Sequence, residues 1–215
     1  PAFFLLLGLG LALFHASRRR REWTEAEIIR FMVTRGLLFI ALEQLLLNWQ
    51  LPTMNYHPYF GVLSAMGIIV IMMAFLRLLS RRSILLLTII MTLSVQAYYY
   101  FAGQPETWSF VRSLFLAMSP VDTVNMTFPV LGWLPFVLMG FYCGQLLSEK
   151  KVNMRRLALT MGCGLFCVFL VVRFVGGFGN LYMGHPLALT KVPPDLAYLA
   201  FYASMTFFML YIHTL

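Results

Sequence analysis

The chain has 215 residues, 60% of them hydrophobic and only 11% charged, with a mean hydropathy of +0.80. A soluble domain is about half apolar and about a quarter charged, so this composition excludes an ordinary water-soluble globule. It also argues against a β-barrel, whose strands would alternate apolar and polar residues. The net charge of +8 does not point to nucleic acid, because the basic residues fall between apolar runs, where membrane topology alone places them.

In chain order, seven apolar runs are predicted to cross about 30 Å of hydrocarbon as helices. They are Ala2 to Ala16, Phe31 to Trp49, Phe60 to Leu79, Ser83 to Phe101, Val130 to Leu147, Leu157 to Val175 and Leu196 to Leu215. The expected fold is all-α, a polytopic transmembrane helix bundle forming one domain over 1–215. The chain opens on Pro1 and closes on Leu215 within apolar runs, so it is read as a piece of a longer membrane protein.

Charge gives the orientation. Arg18 to Arg21 with Arg30, then Arg77, Arg81 and Arg82, then Lys150, Lys151, Arg155 and Arg156 make up twelve of the sixteen Lys and Arg, and all fall in alternate connections. These connections are expected to be cytoplasmic, in a bacterial inner membrane. Arg112, Lys191 and Arg173 belong to the other side.

Between the spans, Thr24 and Glu27 form a Thr-x-x-Glu capping box, which predicts one long helix running into the second span. The stretch WSFVRSLFLAM, 108 to 118, reads as a short interfacial helix, and Trp23 and Trp49 as interface anchors. Gly140 and Gly144 form a GxxxG that permits close helix approach. GGFGN, 176 to 180, is a turn that lacks the Lys-Ser/Thr ending of a phosphate loop. Asn125-Met126-Thr127 matches a glycosylation acceptor. The three cysteines, Cys143, Cys163 and Cys167, are expected to be buried, inert thiols, and no metal site is expected.

Ionisable groups within spans are costly, so each one is a candidate for function. Glu43 lies about 18 Å along its helix from Phe31, at 1.5 Å per residue. A carboxylate at that depth must pair, face a polar cavity or be protonated. Gln44 and Asn48 are four apart and share a face, either lining a cavity or joining helices. Arg35 is close enough to the interface to snorkel. His57 and His185 fall in outer-side loops, and His15 and His213 near or within spans. In GHPLALTKVPPDLAYLAF, 184 to 201, Pro193, Pro194 and Asp195 suit a first helical turn. Lys191 does not, because a cation beside a helix N-terminus is unfavourable.

Four stretches, in order, carry a resemblance: PAFFLLLGLGLAL at 1 to 13, YFGVLSAMGI at 59 to 68, FPVLGWLPFVLMGFYCG at 128 to 144 and LTKVPPDLAYL at 189 to 199. Together the chain resembles the heparan-α-glucosaminide N-acetyltransferase-like membrane proteins, a family within the transmembrane acyltransferases. It departs from the family pattern at Gly132, at Ser64-Ala65 and at Asp195. The resemblance implies transfer of an acetyl or acyl group from acyl-CoA to a glycan or other polar acceptor across the membrane. It also implies a catalytic histidine upstream of Pro1, absent from this chain.

Within the chain, Glu43, His57, His185 and Lys191 are then the groups available for catalysis, and Asn48, Gln44 and Trp133 for substrate binding. Arg35, Arg81 and Arg82 are the candidates for the phosphates of acetyl-CoA, which would be a co-substrate and not a covalently bound cofactor. Expected partners are the bilayer and a small-molecule or glycan acceptor, with a homodimer left open and no nucleic acid. The alternatives are a small-molecule transporter or a non-catalytic membrane subunit. The absence of an internal repeat counts against transport.

Overall fold

A computed structural model describes residues 2–47, 59–101, 110–116, 120–121, 124–126, 128–150, 152–175 and 196–214. Seven long helices are present among the described residues. They are α1 (Ala2–Arg20), α2 (Glu25–Leu42), α3 (Val62–Leu76), α4 (Arg81–Phe101), α6 (Val130–Ser148), α7 (Met154–Leu170) and α8 (Leu196–Ile212). The short α5 (Phe110–Phe115) lies inside the stretch expected to be interfacial. The predicted spans and the observed helices therefore coincide one for one.

The helices alternate in direction, and the contacts at their ends fix this. At one end, Arg20 reaches the Ser148 carbonyl, Arg77 pairs with Glu25, Arg81 pairs with Glu149, and Arg155 donates to the Tyr211 hydroxyl. Basic residues from all three basic connections thus gather at one end, called the basic end below. At the opposite end, β1 (Tyr59–Phe60), β2 (Pro120–Val121) and β3 (Val124–Met126) form a small sheet in the order β1-β3-β2. β1 runs parallel to β3, pairing Tyr59 with Asn125 and Phe60 with Met126, and β2 runs antiparallel to β3. No strand was expected from the sequence, because two- and three-residue strands are too short to show a period of two.

Two glycine contacts set how closely the helices approach. A Cβ at Gly8 would strike the Val137 carbonyl, and one at Gly140 would strike the Leu5 carbonyl, so α1 and α6 touch backbone to backbone. One turn further on, a Cβ at Gly144 would come within 2.6 Å of the Ala12 Cβ. Gly36 of α2 and Gly67 of α3 face each other in the same way, each placing a built Cβ 2.5 Å from the other's carbonyl oxygen. Without a hydrophobic drive between helices in lipid, such close van der Waals contact is what holds helices together. The GxxxG of α6 is thus a packing face.

α6 is the central helix. It packs on α1 and α4, and more lightly on α3 and α5, while α2 pairs with α3 and α7 with α8. Its Trp133, Leu134, Val137, Leu138, Phe141 and Cys143 are fully enclosed. It buries residues all round, even around Pro135, which a membrane helix accommodates when neighbours satisfy the freed carbonyl.

The outside is inverted relative to a soluble protein. Phe3, Leu45, Leu86, Ile90, Leu93, Phe174 and Met209 are each more than half exposed. A continuous apolar exterior of this extent is lipid-facing. Ala2–Arg20, Val130–Ser148 and Met154–Phe174 are long and apolar enough to cross a membrane on length and composition alone. The chain is an integral membrane protein. One expectation is corrected here: Cys143 is buried, but Cys163 and Cys167 lie on the exposed face of α7. They are small apolar side chains turned to lipid, where a thiol packs as well as it does in a core.

The capping box is formed as expected. Glu27 N–H donates to the Thr24 hydroxyl at 3.3 Å, and Thr24 N–H donates to the Glu27 carboxylate at 2.7 Å. That bond, with a second from the Thr24 hydroxyl, holds the exposed Glu27 carboxyl below its usual range. Trp23 anchors the same corner, with the Arg18 guanidinium 4.3 Å from its ring and Phe14 and Phe31 edge-on to it.

Candidate active site

The site is built at the opposite end, where α2 changes pitch. Its last turns, Glu43–Leu47, are π-helical. A π turn shifts the register of the residues it contains, and such turns recur at functional sites. Here the shift directs Glu43 inward rather than toward lipid: the residue is 1% exposed, whereas the adjacent Leu45 is 71% exposed. The carboxylate meets the start of α3. Its Oε2 accepts from the N–H groups of Gly61 and Ser64, each at 2.8 Å, and its Oε1 accepts from Leu63 N–H at 3.1 Å.

These N–H groups belong to the first turn of α3, which has no partner for them within the helix. Gly61 stands at the N-cap and has no side chain to supply one. Glu43 therefore caps α3 from a neighbouring helix, and its negative charge also meets the positive end of the helix dipole. A buried carboxylate is tolerated because it is fully hydrogen-bonded. Beside it, Gln44 donates from Nε2 to the Tyr59 carbonyl at 3.1 Å and to the Ser64 hydroxyl at 3.3 Å. Glu43 and Gln44 together tie α2, β1 and α3 into one corner.

Trp133 lies one turn into α6 from the same end. Its ring stacks on Phe4 at 4.9 Å, with Phe128 at 5.6 Å, Phe136 at 6.2 Å and Tyr198 at 6.4 Å. The indole is fully buried, yet its Nε1–H has no hydrogen-bond partner among the described residues. Buried tryptophans normally find one. A second π turn, Val171–Val175, ends α7 at the same end and buries Arg173 to 8% exposure. Arg173 Nη2 also lacks a partner among the described residues.

The other predicted groups are not all brought together. Asn48, His57, His185 and Lys191 fall outside the described residues. Arg35 sits far from Glu43, toward the basic end, with its guanidinium 5.1 Å over the ring of Phe31, one turn back along the helix. That is the direction expected of a snorkelling side chain. Arg35 lines a groove of about 560 Å³ with Trp23, Glu27, Arg30, Phe31, Thr34 and Leu38. Arg81 and Arg82 do not line it. Arg81 is paired with Glu149 at 2.8 Å, and Arg82 is exposed.

A residue that sequence reasoning passed over is Arg77. It counted only as one more basic connection residue, but its side chain is wholly buried and pairs with Glu25 at 2.6 Å. Arg19 completes the cluster at 3.1 Å from Glu25. Burial alone would raise the Glu25 carboxyl, but the two guanidiniums outweigh it and hold it below its ordinary value of 4.5.

With this geometry in place, comparison with known proteins identifies the family. Residues 1–173 match the family profile described as heparan-alpha-glucosaminide N-acetyltransferase, catalytic. The chain belongs to this family. No curated protein matches the chain significantly. The family match spans α1 to the second π turn and includes Glu43, Gln44 and Trp133, whereas His185, Lys191 and α8 lie beyond it. Membrane-embedded acetyltransferase chemistry is thus the activity class of the family in which the Glu43 cap and the orphan indole occur.

Proposed function

We propose that the chain is the core of a membrane acyltransferase that carries an acetyl or acyl group from a cytoplasmic acyl-CoA to a polar acceptor, such as a glycan, at the opposite face. The basic end faces the cytoplasm, in keeping with the distribution of Lys and Arg between alternate connections. The groove lined by Arg30 and Arg35 receives the donor phosphates, because it joins two guanidiniums that form no ion pair among the described residues to the apolar walls of Trp23 and Leu38. Arg81 is less suited, being neutralised by Glu149.

The observation that carries the reading is the buried indole N–H of Trp133, which has no partner among the described residues. Acyl transfer develops negative charge on the carbonyl oxygen of the transferred group. A preorganised N–H donor in a dry, aromatic enclosure is worth far more there than in water. Glu43 is a positioning residue: its carboxylate holds the start of α3. His57, His185, Lys191 and Asn48 are proposed to supply the remaining proton transfer and acceptor contacts at the same face.

The test is transfer of label from radiolabelled acetyl-CoA, with the protein in liposomes and a panel of glycans outside. Trp133→Phe deletes the donor, which bonds to nothing among the described residues, together with the five-membered ring of the indole, and keeps one aromatic ring in the enclosure. The smaller ring leaves a cavity that costs about 1 to 3 kcal/mol of stability, so kcat is measured on the folded fraction and is expected to fall by about 100-fold, the loss seen when one oxyanion donor is removed. Wild-type kcat in Trp133→Phe would remove Trp133 from the mechanism. No labelled protein or acceptor with the wild-type chain in its full-length context would remove the acyl-transfer reading itself.

A further inference from the structure

We infer that the basic end holds a binding site for the phosphate of an anionic membrane lipid, in the groove between α1 and α6. The groove encloses about 420 Å³ and is lined by Leu13, Ala16, Ser17, Arg20, Arg21, Leu147, Ser148 and Lys150. It opens beyond the last glycine contact of the two helices, where Gly144 meets Ala12. Its lining is graded along α1. Leu13 and Ala16 are apolar, and Arg20 and Arg21 lie one to two turns further on, about 10 Å from Leu13 at 1.5 Å per residue. This is the height of the headgroup region of one leaflet. A lipid matches this grading, with its phosphate among the cations and its acyl chain against Leu13 and Leu147. A soluble phosphate has no use for the apolar wall.

Local structure keeps the cations available. Arg20 is fixed at the groove wall by donating from Nη2 to the Ser148 carbonyl at 3.3 Å, which leaves its charge unneutralised. The nearest acid on the α6 side, Glu149, is already paired with Arg81 at 2.8 Å. On the α1 side the acid is the exposed Glu22, next to Arg21. Lys150 sits just past the end of α6 with φ 54°. Glycine is the usual residue in that left-handed position, so a lysine there is held at a conformational cost. Basic pockets between transmembrane helices on the cytoplasmic side are a known form of anionic-headgroup site.

The experiment uses the purified chain in phosphatidylcholine nanodiscs, titrated with phosphatidylglycerol and read by lipid-bound mass and thermal midpoint. The test variant is Arg21→Gln/Lys150→Gly. It spares the Arg20 hydrogen bond, and glycine suits φ 54°, so the fold is retained. The control, Arg82→Gln/Arg156→Gln, removes the same charge from other exposed positions at the basic end. Phosphatidylglycerol is expected to bind wild type and control alike and to bind the test variant about 30-fold more weakly, the loss for two surface cations at about 1 kcal/mol each. Equal binding by test variant and wild type would overturn the site. Displacement of the lipid by millimolar glycerol phosphate or inorganic phosphate would overturn the lipid as occupant and leave a free-phosphate site. The outcome is independent of acyl transfer, since no substrate is present.

Discussion

The two ends of the bundle treat charge in opposite ways. At the basic end, acids are met by side chains: Glu25 by the buried Arg77 and by Arg19, Glu149 by Arg81, and Glu27 by its own helix cap. At the opposite end, the buried acid Glu43 is answered by backbone N–H groups, while Trp133 and Arg173 each keep a buried donor without a partner among the described residues. The basic end also keeps buried atoms without a hydrogen-bond partner among the described residues, His15 Nε2, Arg77 Nε and Gln145 Oε1. What sets the opposite end apart is that its buried acid is held by backbone N–H groups alone, and unsatisfied buried polar groups at either end are where function can account for a local cost.

The glycine crossing between the two ends supports both, and breaking it gives the largest expected effect. Gly140→Val drives a side chain into the Leu5 carbonyl, so loss of folded, monodisperse protein in detergent is expected, a destabilisation of about 4 kcal/mol or more. Gly10→Ala and Gly164→Ala meet nothing within 4 Å and should leave the thermal midpoint unchanged or slightly raised. Equal behaviour of Gly140→Val and Gly164→Ala would show that α1 and α6 do not touch as described.

Next in size is Glu43→Ala. It removes the acceptor of the Gly61, Leu63 and Ser64 N–H groups and leaves buried donors unsatisfied, at about 3 to 5 kcal/mol. Glu43→Gln keeps one carbonyl acceptor and should cost less, about 1 to 3 kcal/mol. Chemical denaturation in micelles distinguishes the two. If both variants are as stable as wild type, Glu43 does not cap α3.

The smallest effects test the basic end. Arg77→Met removes a wholly buried cation but leaves Glu25 partly exposed and still beside Arg19, so a loss of about 1 to 2 kcal/mol is expected. Arg81→Met breaks a more exposed pair and should cost at most about 1 kcal/mol. The Glu25 carboxyl is depressed in the folded state, so its contribution is present above the unfolded value of 4.5 and is lost as pH falls through the lower folded value. Acid unfolding of Arg77→Met should therefore be less steep below pH 4.5 than that of wild type. An identical acid slope in the two proteins would mean that the pair does not set the Glu25 carboxyl.

What was legible in the sequence was what depends on local pattern. Hydropathy located each long helix, alternating Lys and Arg gathered the basic connections, and Thr24 and Glu27 announced their cap. What was not legible depends on distant partners. Nothing around Glu43 signals a π turn, and its acceptor role is defined by Gly61 and Ser64, some twenty positions away. Arg77 looks like any interfacial cation until Glu25, far earlier in the chain, covers it. Gly36 and Gly67 have no GxxxG spacing of their own, because each one's small partner lies on the other helix. Trp133 was marked by resemblance alone; that its N–H has no partner among the described residues becomes visible only when Phe4, Phe128 and Tyr198 are in place around it.

The meeting of α1 with α6 also sets a timetable for biogenesis. α2 and α3 can clasp through Gly36 and Gly67 as soon as both have left the translocation machinery, since they are neighbours in the chain. The α6 surface that receives Gly8 of α1, by contrast, is made only when the chain has been synthesised as far as Gly140. At ordinary rates of synthesis that delay is on the order of ten seconds. Throughout it the glycine face of α1 is without the α6 backbone that it touches in the finished bundle.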